Sequence, residues 1–337
     1  MLTVSSRAAA GTGNRLRSPN FMAKDTFASQ QSISAIDALR AKYITTARDQ
    51  IFETHLDRQF QRDAVGLLIA KPRKFTATGD THGVILIEGA GGGKTSLVHH
   101  VLNNHPALQS DDPTCKPWVG VRVPSPATLK SLGLEILRET GYPSVSNARK
   151  EWDIWSLVRT RLKLLGTVVL WIDEAHDLFR AGKAIEDILK MLKSIMQGEG
   201  AVILVLTGVD KLWEMASYDD QVKRRYSKVT LPEISASTHD KMFRGIIKAF
   251  CEKVELVAPD ENDLIDRLVY ASRGRFGRCI ENIHAALEAA ILNGDTALTV
   301  QHFAESWGMN EGVVPGKNVF LAPRWAEIDL TQLHKPL

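Results

Sequence analysis

One stretch of the sequence has the residue types and the spacing needed to bind phosphate groups. It reads Glu-Gly-Ala-Gly-Gly-Gly-Lys-Thr and covers residues 88–95. An apolar run over residues 84–87 precedes it, and an apolar helical pattern follows from Leu97. Glycines let backbone N–H groups turn inward around a phosphate, and the first turn of a helix adds partial positive charge. Strand, glycine-rich turn and helix in this order predict a phosphate-binding P-loop.

The P-loop pattern assigns roles to individual side chains. Lys94 is expected to reach the β- and γ-phosphates of a nucleoside triphosphate, and the Thr95 hydroxyl is expected to hold Mg²⁺. The pattern normally has glycine at the position that Glu88 occupies here, and the sequence alone gives no reason for this exchange. The predicted nucleotide-binding residues of the loop are Gly89, Ala90, Gly91, Gly92, Gly93, Lys94, Thr95 and Ser96.

Two acidic residues follow a second apolar run. Residues 168–172 are uniformly apolar, as in a central parallel strand, and Asp173 and Glu174 come directly after them. Ligands of open parallel sheets bind beyond the carboxyl ends of the strands, so this pair should share a crevice with the P-loop. We assign Asp173 to the metal and nucleotide, and Glu174 to activation of an attacking water. His176 completes the letters Asp-Glu-Ala-His of some RNA helicases, but too little chain follows for their second motor domain.

Three further positions complete the candidate site. Thr207 ends the next apolar run and would place a hydroxyl near the γ-phosphate. Arg225 is our first candidate, and Arg224 our second, for an arginine supplied to the phosphates of a neighbouring subunit; a basic surface cluster is the alternative. Arg278, or else Arg275, would reach the phosphates from a later helix. The basic cluster at residues 272–278, to which both belong, equally suits a nucleic-acid contact.

The elements that must position these residues change in character along the chain. Apolar strands alternate with helical patterns up to about residue 232, and only helical patterns follow, which predicts an α/β fold with a parallel sheet flanked by helices and a small helical lid domain. Within the region before the P-loop we expect a second helix over about residues 56–70. The predicted divisions are a disordered basic N-terminal tail (1–33), a helical extension (34–75), the α/β core (76–232), the lid (233–308) and a C-terminal tail (309–337).

Composition narrows the class of protein only slightly. The 337 residues carry a net charge of +3, which permits nucleic-acid binding without arguing for it. No apolar run approaches the ~20 residues that span a membrane, so no membrane partner is expected. The three cysteines are far apart and lack zinc-site spacing, which favours reduced thiols in a cytoplasmic protein.

In order and type, the candidate residues resemble those of an AAA+ ATPase. The resemblance rests on Gly93-Lys94-Thr95, Asp173-Glu174, Thr207, Arg225 and Arg278, followed by a helical lid. Within that superfamily the chain is similar to the transposition ATPases TniB and TnsC. The features shared with them are the helices before the P-loop, Val119–Val123 with Pro124–Thr128, the run 171–176, and a tail with Asn318-Val319-Phe320 and Trp325.

The resemblance implies a bacterial, cytoplasmic regulator that binds ATP and Mg²⁺ and hydrolyses ATP. Such proteins assemble as a ring or helical filament on double-stranded DNA and link a TniQ-like target selector to a DDE transposase of the TnsB/TniA type. Hydrolysis drives disassembly, and the C-terminal tail is the expected partner-docking segment. The resemblance also implies DNA contacts from four residues after the second strand, for which an ordinary helix-capping loop is the alternative: Arg122, Ser125, Thr128 and Lys130.

Two other functions remain open from the sequence. The first is an AAA+ helicase loader or replication-initiator-type ATPase. The second is a nucleotide-gated assembly scaffold with little turnover, to which Glu88 in the P-loop gives some weight.

Overall fold

A computed structural model describes residues 30–146, 148–179, 185–217 and 220–334. The described part begins with α1 (Gln30–Ala41) and α2 (Ala47–Asp57), followed by an antiparallel hairpin of β1 (Phe60–Arg62) and β2 (Leu68–Pro72). Most of the predicted N-terminal tail, residues 1–29, lies outside the described residues, and positions 30–33 belong to α1.

The expected helix over residues 56–70 is wrong, because α2 ends at Asp57 and the hairpin takes its place. The turn of the hairpin is shaped by the Asp63 carboxylate, which accepts hydrogen bonds from the N–H groups of Val65 and Leu67. Hydrogen bonds between an aspartate side chain and the backbone that follows it favour a turn, and here they outweigh the helix-like spacing of the apolar residues. The region 34–75 is therefore part helix and part hairpin.

Five parallel strands form the central sheet, and their order across it is β4-β5-β6-β3-β7. The predicted parallel sheet flanked by helices is confirmed. The sequence pattern does not predict β7. Only two of its five residues are buried, so its sequence lacks the continuous apolar run that marks the central strands. The strands are β3 (Gly83–Ile87), β4 (Trp118–Arg122), β5 (Val169–Asp173), β6 (Ile203–Gly208) and β7 (Tyr226–Thr230).

Helices cover both faces of this sheet. β3, β5 and β6 are buried along their whole length, and their side chains contribute to two hydrophobic clusters, one on each face. The helices of the core are α3 (Lys94–Asn104), α4 (Leu129–Glu139), α5 (Glu151–Leu164), α6 (Ile185–Ile195), α7 (Lys211–Ala216) and α8 (Asp220–Arg225). No helix of the described residues is both long enough and apolar enough to cross a membrane.

The remaining helices form the lid around a third hydrophobic cluster. They are α9 (Ala236–Lys253), α10 (Leu264–Ala271), α11 (Phe276–Asn293) and α12 (Val300–Glu311). The segment before the sheet connects lid and core. Ile36 and Leu39 of α1 pack in the lid cluster, whereas Phe52 and Leu56 of α2 pack against α3 and the sheet.

The C-terminal tail packs on the lid instead of extending away from it. Phe320 is 2% exposed and belongs to the lid cluster. Arg267 of α10 donates to the carbonyl of Val319 (2.7 Å), and its guanidinium lies over the ring of Trp325. The two aromatic residues expected to serve a docking tail are thus engaged inside the chain. Residues 335–337 of that predicted segment lie outside the described residues.

Candidate nucleotide-binding site

The glycine-rich loop joins the end of β3 to the start of α3, as the P-loop pattern predicts. Gly91 and Gly93 have φ values of 77° and 91°, a region that favours glycine. Gly93 occupies the N-cap position of α3, and Lys94 is the first residue of that helix. Ala90 is exposed at the tip of the loop. The loop backbone and the helix start are therefore arranged to receive an anion.

Three loop glycines provide space for charged side chains, two from the lid and one from the loop itself. A Cβ atom at Gly89 would lie 2.6 Å from the guanidinium carbon of Arg275, and one at Gly91 would lie 2.6 Å from Cγ of Arg278. A Cβ atom at Gly92 would lie 2.1 Å from the carboxyl carbon of Glu88. The glycines are thus required by close side-chain packing as well as by the shape of the loop.

The predicted metal residues Thr95 and Asp173 lie together, and a second hydroxyl joins them. The Thr95 hydroxyl donates to Asp173 Oδ2 at 2.8 Å, and the Thr207 hydroxyl donates to Asp173 Oδ1 at 2.5 Å. Thr207 in turn accepts a hydrogen bond from the indole Nε1 of Trp171 at 3.0 Å. A hydroxyl and a carboxylate beside a P-loop are the oxygen ligands that Mg²⁺ prefers, so this pair fits the ion.

Glu174 begins the segment after β5 with a φ of 54°, a conformation that is uncommon for a residue with a side chain. This backbone turns the Glu174 carboxylate toward His176, whose Nδ1 lies 3.2 Å from Glu174 Oε2. The two atoms are close enough for an ion pair, but they are not aligned for a hydrogen bond: His176 Nδ1 has no hydrogen-bond partner among the described residues. His176 thus lies beside the predicted water-activating group, where it can limit the positions of that carboxylate.

The two candidate arginines of α8 have different surroundings. Arg225 Nη2 lies 2.8 Å from Asp80 Oδ2, and the side chains are 16% and 5% exposed. The Arg225 guanidinium holds the pKa of Asp80 below its ordinary value, and a hydrogen bond from Gln197 acts in the same direction. Arg224 is exposed. Arg225 is thus paired within its own chain, whereas Arg224 is exposed, and which of the two reaches the phosphates of a neighbouring subunit stays a prediction.

Both candidate arginines of the lid touch the P-loop. The Arg278 N–H donates to the carbonyl of Gly91 at 2.9 Å, while the Arg275 side chain packs on Gly89. Arg278 is the third residue of α11 and lies in its first turn. The structure therefore brings the two cations to the same loop and does not choose between them.

A cavity of about 580 Å³ lies beside the P-loop. Its walls come from the segment 40–48, from α3 along its length, including Ser96, and from α11. On one side Tyr43 stacks on His100, with ring centroids 3.8 Å apart. A cavity of this size is suitable for the base and ribose of a nucleotide whose phosphates lie on the loop.

The four candidate DNA contacts lie at the β4 edge of the sheet, from the last residue of β4 to the first turn of α4. Arg122 and Ser125 are exposed. Thr128 is the N-cap of α4, and its hydroxyl accepts from the N–H of Ser131 at 3.0 Å, so the capping alternative holds for this residue. Lys130 is half-buried in the first turn of α4.

Sequence reasoning missed the partner of Glu88. Arg48 of α2 lies 2.5 Å from Glu88 Oε1, and the two side chains are 5% and 8% exposed. A carboxylate at a buried position requires a cation or a proton, so Glu88 itself was the signal that a partner must exist. The spacing of residues gives no means of identifying that partner 40 positions earlier.

Comparison with known proteins connects this geometry to a family and a fold. The family model described as "Bacterial TniB protein" matches residues 67–236. No curated protein matches the chain.

Several solved structures share the fold at low sequence identity. ORC2 of Aeropyrum pernix, in ADPNP-ADP complexes, is 17% identical with a TM-score of 0.54, over 80% of this chain and 70% of that one. Cdc6p of Pyrobaculum aerophilum is 14% identical with a TM-score of 0.56, over 81% and 69% of the two chains. ORC1 of Aeropyrum pernix in complex with DNA is 17% identical with a TM-score of 0.56, over 79% and 65%. These likenesses establish the AAA+ P-loop fold.

Proposed function

The chain belongs to the TniB family of bacterial proteins and is an AAA+ ATPase, and from this we propose that it is an ATP-dependent, DNA-binding regulator of transposition. The family match is the observation that carries the proposal. It spans the P-loop, Asp173, Glu174 and Thr207, and it ends where the lid begins.

The nucleotide roles follow from the positions of the side chains. The P-loop N–H groups and Lys94 would hold the phosphates, with Arg275 or Arg278 closing over them from the lid. Thr95 and Asp173 would hold Mg²⁺, which neutralises phosphate charge when bound. Glu174 would orient and deprotonate water, while the Thr207 hydroxyl fixes the Asp173 carboxylate.

Assembly would complete the site. Phosphoryl transfer is stabilised by an arginine directed at the phosphates, and Arg224 is exposed on α8 for that role in a neighbouring copy. ATP bound at such a boundary favours the assembled state by mass action, and its hydrolysis favours release. We therefore propose a homo-oligomeric ring or filament whose lifetime is set by ATP.

Double-stranded DNA is the proposed template of this assembly, with a TniQ-like selector and a DDE transposase as the proteins that it connects. Arg122 and Ser125 are the contacts most open to a phosphate backbone. Binding through phosphates does not depend on base sequence and weakens steeply with salt. That behaviour suits a regulator whose target site is chosen by another protein.

Electron microscopy and ATPase assays on the same preparation test this function. With duplex DNA and a non-hydrolysable ATP analogue we expect rings or filaments, and none for Lys94→Ala. Glu174→Gln should bind ATP and assemble, yet remain assembled because turnover is lost. Absence of any assembly by the wild-type protein on DNA would reject the transposition-regulator proposal, and wild-type turnover by Glu174→Gln would reject the assignment of the water-activating residue.

A further inference from the structure

Glu88 occupies the position at which a P-loop normally begins with glycine. Its N–H donates to the carbonyl of Gly208 at 3.1 Å, so the backbone continues the pairing of β3 with β6. Its side chain folds under the loop, where the carboxyl group fills the space that a side chain at Gly92 would need. Glu88 and Gly92 are therefore a matched pair, and the need for glycine at position 92 follows from the glutamate.

Arg48 connects the two ends of the loop. Its Nη2 lies 2.5 Å from Glu88 Oε1, and its Nη1 donates to the carbonyl of Gly92 at 2.9 Å. Both side chains are more than nine-tenths buried. The planar guanidinium, with its fixed fork of donors, can make both contacts at once, which the single ammonium of a lysine cannot reproduce in the same geometry.

Arg48 is itself held in place and extends the connection to the lid. It lies in the first turn of α2, which Thr46 and Asp49 cap reciprocally. Its Cζ atom lies 5.5 Å from the ring centroid of Phe276, the first residue of α11. One guanidinium thus contacts the start of the loop, the end of the loop and the lid.

We propose that Arg48 is a positioning residue of the nucleotide site, which with Glu88 holds the phosphate loop in its binding shape and ties that shape to the lid. This rests on the proposed nucleotide site, in which Lys94 holds phosphate. The pair is a brace: it orders the loop before the nucleotide arrives, so the nucleotide does not have to supply that ordering.

The electrostatics of the brace explain why each half requires the other. Burial raises the pKa of Glu88, while the positive charges of Arg48, Lys94 and Arg275 oppose that rise. Removing one partner leaves the other charge buried without compensation, which is strongly unfavourable. Removing both leaves a smaller defect, so the effects of the two substitutions are expected to be non-additive.

The test measures the dissociation constant of a fluorescent ATP analogue for the full chain, for four variants of the pair, and for the controls Arg267→Met and Lys94→Ala. Arg48→Met and Glu88→Gln break the pair from either side, and the double variant removes both charges. Arg48→Lys keeps the positive charge but loses the forked pair of guanidinium donors, and it replaces Arg48→Met in the comparison if that variant does not fold. Each preparation is also heated without nucleotide, so that binding is compared well below every unfolding midpoint.

We expect each single substitution of the pair to weaken binding by roughly tenfold or more. We expect the double variant to be weakened less than the product of the two single effects, and Arg48→Lys to be intermediate. Wild-type affinity in a folded Arg48→Met or Arg48→Lys variant would overturn the proposal, as would independent, multiplicative losses in the double variant.

Arg267→Met is the matched control. Arg267 is also a mostly buried arginine, 13% exposed, that donates to two backbone carbonyls, but these belong to the C-terminal tail that packs on the lid. Its loss should lower the unfolding temperature and leave the dissociation constant unchanged. If Lys94→Ala binds the analogue as tightly as the wild type, the nucleotide site is rejected, and the brace with it. If Lys94→Ala loses binding while the folded Arg48 variants keep wild-type affinity, the nucleotide site stands and the brace alone is rejected.

Discussion

Gly92→Ala is the perturbation whose effect can be worked out most directly from the structure. The added Cβ atom would lie 2.1 Å from the carboxyl carbon of Glu88, whereas non-bonded carbons prefer about 3.5–4.0 Å. Gly92 does not have a positive φ, so alanine is allowed by the backbone and only the contact opposes it. Either the loop moves by more than about 1 Å, or the Glu88 carboxyl group leaves Arg48.

The two ways of relieving this contact bound the cost. Overpacking a tight site destabilises by about 1–3 kcal/mol. Breaking a buried ion pair by displacing one partner costs about 3–5 kcal/mol, so movement of the loop is the cheaper response. Since the loop is the phosphate-binding element, we expect Gly92→Ala to lose roughly 1–3 kcal/mol in the free energy of unfolding and to bind ATP at least tenfold more weakly.

Urea denaturation and titration with a fluorescent ATP analogue measure these two quantities. Gly245→Ala is the control, because Gly245 lies inside α9 with nothing within 4 Å of its added Cβ atom. Alanine there should stabilise by about 0.5–1 kcal/mol and leave nucleotide binding unchanged. If Gly92→Ala unfolds at the wild-type urea concentration and binds the analogue normally, the placement of Glu88 beneath the loop is wrong.

Three other predictions follow from the site. Thr207→Val removes a donor to Asp173 and leaves the Trp171 indole N–H buried without an acceptor. We therefore expect a free energy of unfolding lower by about 1–3 kcal/mol in urea denaturation and a large loss of ATP hydrolysis. Thr207→Ser should retain both stability and hydrolysis, and normal turnover in the valine variant would contradict this prediction. Arg224→Ala should bind ATP normally but hydrolyse it roughly a thousandfold more slowly in a DNA-stimulated assay, and an unchanged rate would remove it as the arginine supplied in trans. Arg225 holds the pKa of Asp80 below 3.8, so the pair contributes stability that is fully present above that pH and is lost as the pH falls through the lower folded-state pKa. The difference in unfolding free energy between wild type and Asp80→Asn should therefore shrink below about pH 4 in urea titrations, and a difference that stays constant from pH 3 to 7 would show that the pair does not act through charge.

The sequence was sufficient to predict the parts of the site that are local in the chain. Uniformly apolar runs identify β5 and β6 as central strands, because a strand covered on both faces has no polar side. Glycine, lysine and threonine directly after β3 identify the P-loop, and the rule that ligands bind beyond the carboxyl ends of parallel strands places Asp173 next to Thr95. These predictions need only residue types, their spacing and the parallel topology.

The sequence does not reveal contacts that join residues far apart in the chain. Arg225 lies in a basic cluster that looks available, but Asp80, 145 positions away, pairs with it inside the chain. Phe320 lies in a polar context that suggests an exposed tail, but the lid offers it a hydrophobic site. In both cases the residue type is compatible with either environment, and only the packed structure selects one.

The phosphate loop shows both kinds of information together. Its existence, its direction and its lysine are determined by the sequence, since the strand–glycine–helix order is local and has one main use. The reason for Glu88, and the need for glycine at position 92, were decided only by the tertiary structure. Folding brings α2 against the sheet and places the Arg48 guanidinium between the two ends of the loop, where a buried carboxylate becomes stable because its counter-charge is already in place.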